Sequence, residues 1–179
     1  MLMKRFILMS LAACVAMVWC AGSKAFAAVP EGYKTIELTG FHVSIPGEFE
    51  KSEGWSSEYS KSFNSNAINI RDDGEEYLSS ATINVYDDTG SIDEMNEYAQ
   101  NLTGSAQAMD EVCDEPVIEG NTIILHSTSD LGDGYLINWR FLVINEDGKI
   151  AGGTISYRDG DAKFYDGIVM PIIQSVQFK

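Results

Sequence analysis

The sequence predicts an α+β domain, a mainly antiparallel sheet with helices packed on it. Three observations carry this. Several segments alternate apolar and polar residues with a period of two, as half-buried strands do. Two segments, near residues 92–102 and 161–175, place apolar residues at helical spacing instead. Pairs such as Gly120-Asn121 and Asp147-Gly148 join neighbouring strands as hairpins, and hairpin strands run antiparallel.

Tyr33 to Leu38 and Phe41 to Ile45 read as short strands around Thr39-Gly40. In the second, Phe41, Val43 and Ile45 point one way and His42 and Ser44 the other, until Pro46-Gly47 stops it. Ser57 to Phe63 is a weak polar strand. Ala67 to Arg71 is another, ended by the acidic turn Asp72 to Glu76. Ala81 to Tyr86 alternates Ala81, Ile83 and Val85 against Thr82, Asn84 and Tyr86. Ser91-Ile92-Asp93-Glu94 is a capping box, whose Ser oxygen and Glu carboxylate satisfy orphan amides reciprocally. Ile92, Met95, Tyr98, Ala99 and Leu102 continue as a helix that Gly104 weakens or ends. Residues 105–115 show no clear period, and one more helical turn is open there.

Pro116 to Glu119 and Thr122 to Ser127 flank the Gly120-Asn121 hairpin turn, and Asp130 to Gly134 is a further turn. Tyr135 to Asn145 is the strongest strand. One face carries Tyr135, Ile137, Trp139, Phe141 and Val143, the other Leu136, Asn138, Arg140, Leu142 and Ile144. Apolar residues on both faces predict a central strand covered on both sides, with Trp139 in the core. Glu146-Asp147-Gly148 turns the chain into Lys149 to Tyr157. Asp161 to Ser175 is a helix with Ala162, Tyr165, Ile168, Val169, Ile172 and Ile173 on one stripe, and Pro171 must kink it or end its regular part. Val176-Gln177-Phe178 fits a last extended piece.

The 179 residues carry a net charge of −15 and make one domain. Lys4, Arg5 and Lys24 lie in the first 27 residues, which hold no acidic side chain, so residues 28–179 carry all 27 acidic residues. A chain of that size buries roughly 68–70% of its unfolded surface, enough for one core. At 45% hydrophobic and 11% aromatic it is not disordered. Like charges repel, so such a body is a poor ligand for phosphate backbones or anionic lipid; nucleic-acid and peripheral-membrane roles are argued against.

The start, Met1-Leu2-Met3-Lys4-Arg5, then apolar residues from Phe6 to Trp19, then Ala25-Phe26-Ala27, has the parts of a signal peptide cleaved after Ala27. It predicts a signal peptide over residues 1–27 and one globular domain over 28–179, exported to a periplasmic or extracellular location, with no transmembrane segment in the mature chain. Leu11-Ala12-Ala13-Cys14 offers an alternative: a lipobox, with Cys14 lipidated and the protein anchored at a surface. Cleavage after Ala27 leaves Cys113 alone, unable to form an internal disulfide. Its neighbours Asp110, Glu111, Asp114 and Glu115 disfavour a thiolate, so Cys113 reads as a small semi-buried hydrophobe.

The order of elements resembles the PsbP-like fold of photosystem PsbP proteins and DcrB-like bacterial envelope proteins. The likeness rests on Phe41 to Pro46, the helix opened by Ser91 to Glu94, the hairpin Tyr135 to Tyr157, and the closing helix ending Ile172 to Phe178. The resemblance implies an α/β/α sandwich and an accessory or binding role without enzymatic activity. It carries over no functional residue.

His42 and His126 are the two histidines, and neither has a second His at metal-ligand spacing. No G-x-S-x-G elbow is present, although a Ser/His/acid arrangement needs only spatial closeness. Acidic pairs at Asp72 to Glu76, Asp87-Asp88, Asp130 to Asp133, Glu146-Asp147 and Asp159 to Asp161 read as solvated turns without calcium-loop spacing. Trp55, Tyr59 and Phe63, spaced four apart, are either core or a partner-facing aromatic patch. Asn101-Leu102-Thr103 matches a glycosylation sequon inside a helix and reads as chance. No catalytic, cofactor-binding or metal-ligating residue is assigned and no cofactor is expected. The expected function is an exported, non-catalytic binding or accessory protein of the envelope or extracellular space, acting on an unknown protein or small molecule. A small secreted hydrolase using His42 or His126, and the Cys14-anchored protein, are the alternatives.

Overall fold

A computed structural model describes residues 30–53, 56–70 and 76–179. Residues 1–29 with Cys14, residues 54–55 with Trp55, and residues 71–75, which hold Arg71 and most of the acidic stretch, lie outside the described residues. The strands are β1 (Tyr33–Glu37), β2 (Phe41–Pro46), β3 (Glu50–Lys51), β4 (Ser60–Ile70), β5 (Glu76–Thr89), β6 (Val112–Cys113), β7 (Val117–Glu119), β8 (Thr122–Asp130), β9 (Tyr135–Ile144), β10 (Lys149–Arg158) and β11 (Gln177–Phe178). The helices are α1 (Met95–Gln107) and α2 (Ala162–Gln174), each entered through a short 3₁₀ turn.

The main sheet runs β3-β4-β5-β10-β9-β8-β6, with β7 also paired to β8; β1, β2 and β11 make a separate small sheet. Every pairing is antiparallel. The predicted α+β class, an antiparallel sheet with helices packed on it, is the architecture observed. One face of the main sheet carries α2 and the small sheet. There Phe41, Val43, Ile45, Phe63, Ile83, Val85, Phe141, Val143, Ile155, Tyr165, Val169 and Ile172 form the principal core. The opposite face carries α1, whose Met95 and Ala99 pack on Ile123, Leu142, Ile144 and Ile150. Phe141 and Val143 thus serve one core and Leu142 and Ile144 the other, so β9 is covered on both sides as its two-faced pattern requires.

Several boundaries differ from expectation for local reasons. Ser57 to Phe63 and Ala67 to Arg71 are not two strands: β4 is continuous and pairs with β5 along its whole length. Nothing between Ser60 and Ile70 is Gly or Pro, so polar Asn64 and Asn66 do not interrupt it. Asp87-Asp88 lies within β5 rather than in a turn, and both Asp87 carboxylate oxygens accept from the Gly40 amide, tying the main sheet to the β1–β2 turn. Ser44 is buried, not outward: its amide donates to Ser175 Oγ, which in turn donates to carbonyls of Ser44 and Ile172. The early strand β2 belongs to the small sheet and not to the main one.

The capping box forms by half. Ser91 Oγ accepts from the Asp93 amide, but Glu94 reaches the Ser91 amide only through Tyr98, whose hydroxyl accepts from it and donates to Glu94. Gly104 does not end α1, which runs three residues further. Pro171 does not end α2 either. It sits in the last turn, where its missing N–H costs only the bond to the Gly167 carbonyl.

Gly152 and Gly153 in β10 hold the two cores together. A Cβ on Gly153 would lie 2.6 Å from the Phe141 ring and 2.7 Å from the Asn84 carbonyl; one on Gly152 would lie 2.3 Å from the Tyr86 ring. The rings cross the bare backbone from opposite faces. Gly153→Ala should therefore cost about 1–3 kcal/mol by overpacking. Urea unfolding measures it, and a loss under about 0.5 kcal/mol, the range of surface changes, would show that Phe141 is free to shift.

Candidate functional site

Beyond the part of the sheet where α2 packs, the same face continues onto β9, β8 and the β6–β7 edge. Three cross-strand rows fill it. Val112, Thr128 and Ile137 form one; Val117, Ile124 and Phe141 another. The middle row pairs His126 with Trp139, and Asp114 joins it through its amide, which donates to the His126 carbonyl. Val112 is 74% exposed, Val117 50% and Tyr135 51%, while Ile124, His126, Ile137 and Trp139 are half-buried. Trp139 is therefore not the core residue its alternation suggested. It borders the principal core, and its strand face emerges from under α2 between Phe141 and Tyr135.

The middle row is tied down at both ends. Asp114 Oδ2 lies 2.7 Å from His126 Nδ1. A carboxylate only accepts, so Nδ1 carries the proton. The imidazole rests on the indole, ring centroids 4.6 Å apart. Trp139 Nε1 donates to the Tyr157 hydroxyl at 2.8 Å, and that hydroxyl donates to Asp166 Oδ1 on α2 at 2.5 Å. Burial first, then the Asp166 acceptor, pushes the Tyr157 phenol far above its ordinary value, so it stays a donor. Tyr157→Phe should leave the indole N–H without its acceptor and cost about 1–3 kcal/mol. Thermal unfolding reads the loss; an unchanged midpoint would mean that Trp139 is held by packing alone.

A second polar cluster lies on the other face of the same strands. Arg140 grips Glu111 with two bonds, 2.6 and 2.7 Å, and donates to Ser127 Oγ, which donates to Glu111. The Glu111 side chain is only 6% exposed. Burial alone would raise its carboxyl; the Arg140 and Ser127 bonds outweigh this and hold it below 4.5. The folded-state value is the lower one, so the stabilisation is full above 4.5 and is lost as pH falls through the folded value. Beside the pair, the buried Asn138 Nδ2 has no hydrogen-bond partner among the described residues. Arg140→Met leaves Glu111 charged and unpaired, and should cost about 3–5 kcal/mol at neutral pH. Denaturant unfolding should show that gap to wild type narrowing as pH falls, beginning above 4.5, where the buried unpaired carboxyl of the variant takes up its proton, and ending below 4.5, where the wild-type carboxyl does; a gap unchanged with pH would mean that Arg140 acts by packing.

The other candidates scatter. His42 lies on the small sheet, its Nε2 2.7 Å from Gln177 Oε1. His126 has a carboxylate partner, but Ser127 projects from the opposite face of β8 and gives its hydroxyl to Glu111. Cys113 is half-buried, and burial first, then Glu111, pushes its thiol up. Tyr59 is exposed and precedes β4, whereas Phe63 is buried in the principal core, so the four-residue spacing does not make one face. Asn101 and Thr103 sit in α1, where the Thr103 hydroxyl donates to the Ala99 carbonyl. Among the described residues, no three His, Cys, Asp or Glu side chains are grouped to hold a metal. Asp114 and Trp139 were not recognisable as a site from sequence, because their meeting with His126 depends on the β6–β8–β9 register.

An antiparallel sheet with a helix on one face, and a helix plus a three-stranded sheet on the other, is consistent with the Mog1/PsbP-like fold. The solved structure of the Ran-binding protein Mog1p of Saccharomyces cerevisiae matches it with a TM-score of 0.56 at 12% identity, over 81% of this chain and 94% of that one. A point mutant of Mog1 matches with 0.55 at 11% identity, over 81% and 95%. No family model matches the chain, and no curated protein matches it. These findings correct two expectations. The assignment to PsbP and DcrB-like proteins gives way to a likeness, in fold alone, to Mog1. The periplasmic or extracellular location is not carried further either: the solved structures that share the fold are of a Ran-binding protein of Saccharomyces cerevisiae, and residues 1–29 lie outside the described residues. No helix among the described residues is long and apolar enough to cross a membrane.

Proposed function

We propose that this chain is a non-catalytic binding domain that docks a protein partner on the face formed by β6, β7, β8 and β9. One observation carries the reading: Trp139 is half-buried in an exposed apolar strip and fixed by hydrogen bonding to Tyr157 and by a tilted ring contact with His126. A rigid aromatic anchor loses little side-chain entropy on association, and Trp and Tyr at the centre of a patch are the side chains that dominate interface energies. Val112, Val117 and Tyr135 extend the strip outward, and solvated Asp114, Glu119 and Asp130 rim it. Apolar centre and polar rim are the anatomy of a protein interface. The fold likeness to a Ran-binding protein agrees with a binding role but carries no partner across at 12% identity.

The test is affinity capture from the protein's own cells, with wild type against Val112→Asp/Val117→Asp. Both sites are exposed edge positions, so the double variant should unfold like wild type. It should lose the captured protein by at least about tenfold, since two desolvated carboxylates oppose an apolar contact. Equal capture by both proteins would place the interface elsewhere.

A further inference from the structure

We infer that the segment docked on this strip is positively charged, and that an arginine of it seats against Trp139 and His126 beside Asp114. The inference rests on the docking reading above and adds the chemistry of the partner. From residue 72 to residue 139 the sequence has sixteen Asp and Glu and no Lys or Arg. The strip is built almost entirely from that stretch. The basic side chain that follows it, Arg140, points to the opposite face and is consumed by Glu111 and Ser127. On the exposed edge stand Asp114 and Glu119, and Asp130 and Asp133 close the far end, where Asp133 meets Arg158 at 3.4 Å. An excess of charge of one sign around an apolar centre raises the local concentration of the opposite sign and orients its approach.

The middle row specifies arginine over lysine. The Asp114 side chain is 72% exposed while only Oδ2 is engaged by His126, so the carboxylate still has accepting capacity toward solvent. The two rings beside it, in contact at a tilt of 47°, are held by hydrogen bonds at both ends. A guanidinium is planar and weakly hydrated; it can lie against an aromatic ring and fork to a carboxylate at once. An ammonium is a strongly hydrated point charge: it can approach a ring, but it cannot lie flat on it and fork to the carboxylate in one geometry. Pro116 between β6 and β7 removes an edge N–H, and the two strands are two and three residues long. Continuous strand addition is therefore hindered, and recognition falls to side chains.

The experiment titrates uniformly ¹⁵N-labelled protein with a synthetic peptide of five Gly-Arg repeats, against peptides of five Gly-Lys and five Gly-Glu repeats. The Gly-Arg peptide should shift the Trp139 indole N–H resonance and the amides of residues 112–119. It should bind at least about threefold tighter than Gly-Lys and weaken with added salt. Asp114→Asn/Glu119→Gln should cut its affinity about tenfold. This variant folds, because an Asn oxygen still accepts the His126 N–H. The inference is overturned if the Trp139 indole and edge amides do not move, if Gly-Lys binds as tightly, or if the double variant binds as well as wild type. If Val112→Asp/Val117→Asp loses the cellular partner but Asp114→Asn/Glu119→Gln keeps it undiminished, the arginine assignment falls and the docking face stands.

Discussion

Two rings lie on two glycines. Phe141 from β9 crosses Gly153 on one side of β10, and Tyr86 from β5 crosses Gly152 on the other. A strand at the centre of a sheet has both faces to fill, and side chains of its own would hold the neighbouring rings away. With hydrogen atoms at two successive positions, each face receives an aromatic ring at backbone distance. Phe141 then joins the principal core with Ile83, Ile155 and Val169. Tyr86 joins the smaller core with Leu142 and Ile150 beneath α1. Both helices are therefore positioned by one stretch of bare backbone.

The binding strip follows from how far each layer extends. α2 packs on β2, β10 and β9, and Asp166 in its second turn holds Tyr157, which holds Trp139. The outer strands β8, β6 and β7 carry the same face onward into exposed apolar side chains. On the reverse face the Arg140–Glu111 pair fixes the segment between α1 and β6, since Glu111 immediately precedes β6. That anchoring sets where Asp114 stands, three residues on, against His126. A buried ion pair on one face thus positions a solvated carboxylate on the other.

Local pattern carried much of the fold. Both helices were readable because their apolar residues repeat at helical spacing and no competing β-branched alternation runs through them. The hairpin at Gly120-Asn121 was readable because Gly120 adopts a φ of 60°, which a glycine takes at no steric cost. The two-faced apolar pattern of β9 was readable as central. The pattern of residues 1–27 reads as an export signal, a reading that the likeness to Mog1 does not support; apolar and basic spacing at a chain start bears on no contact of the domain. The binding strip was not readable. Trp139 alternates with Ile137 and Phe141 as a core residue would, and nothing in the order of residues says that α2 stops short of it. Arg140 alternates with leucines, and only its bidentate partner 29 positions earlier explains a charge there.

The sequence by itself determined the strongest periods, several turns and the charge: where both helices and the long central strands lie, that hairpin-joined strands run antiparallel, and that the body is acidic. These depend on residues a few positions apart, whose sterics and hydrogen bonding act locally. Tertiary structure alone decided that β2 leaves the main sheet, that Glu111 reaches Arg140, and that Asp114, His126, Trp139, Tyr157 and Asp166 are joined in one chain of contacts from the β6–β7 edge to α2. Those arrangements join residues far apart in the chain, and they are set by strand register and by the reach of each helix over the sheet, which no local spacing encodes.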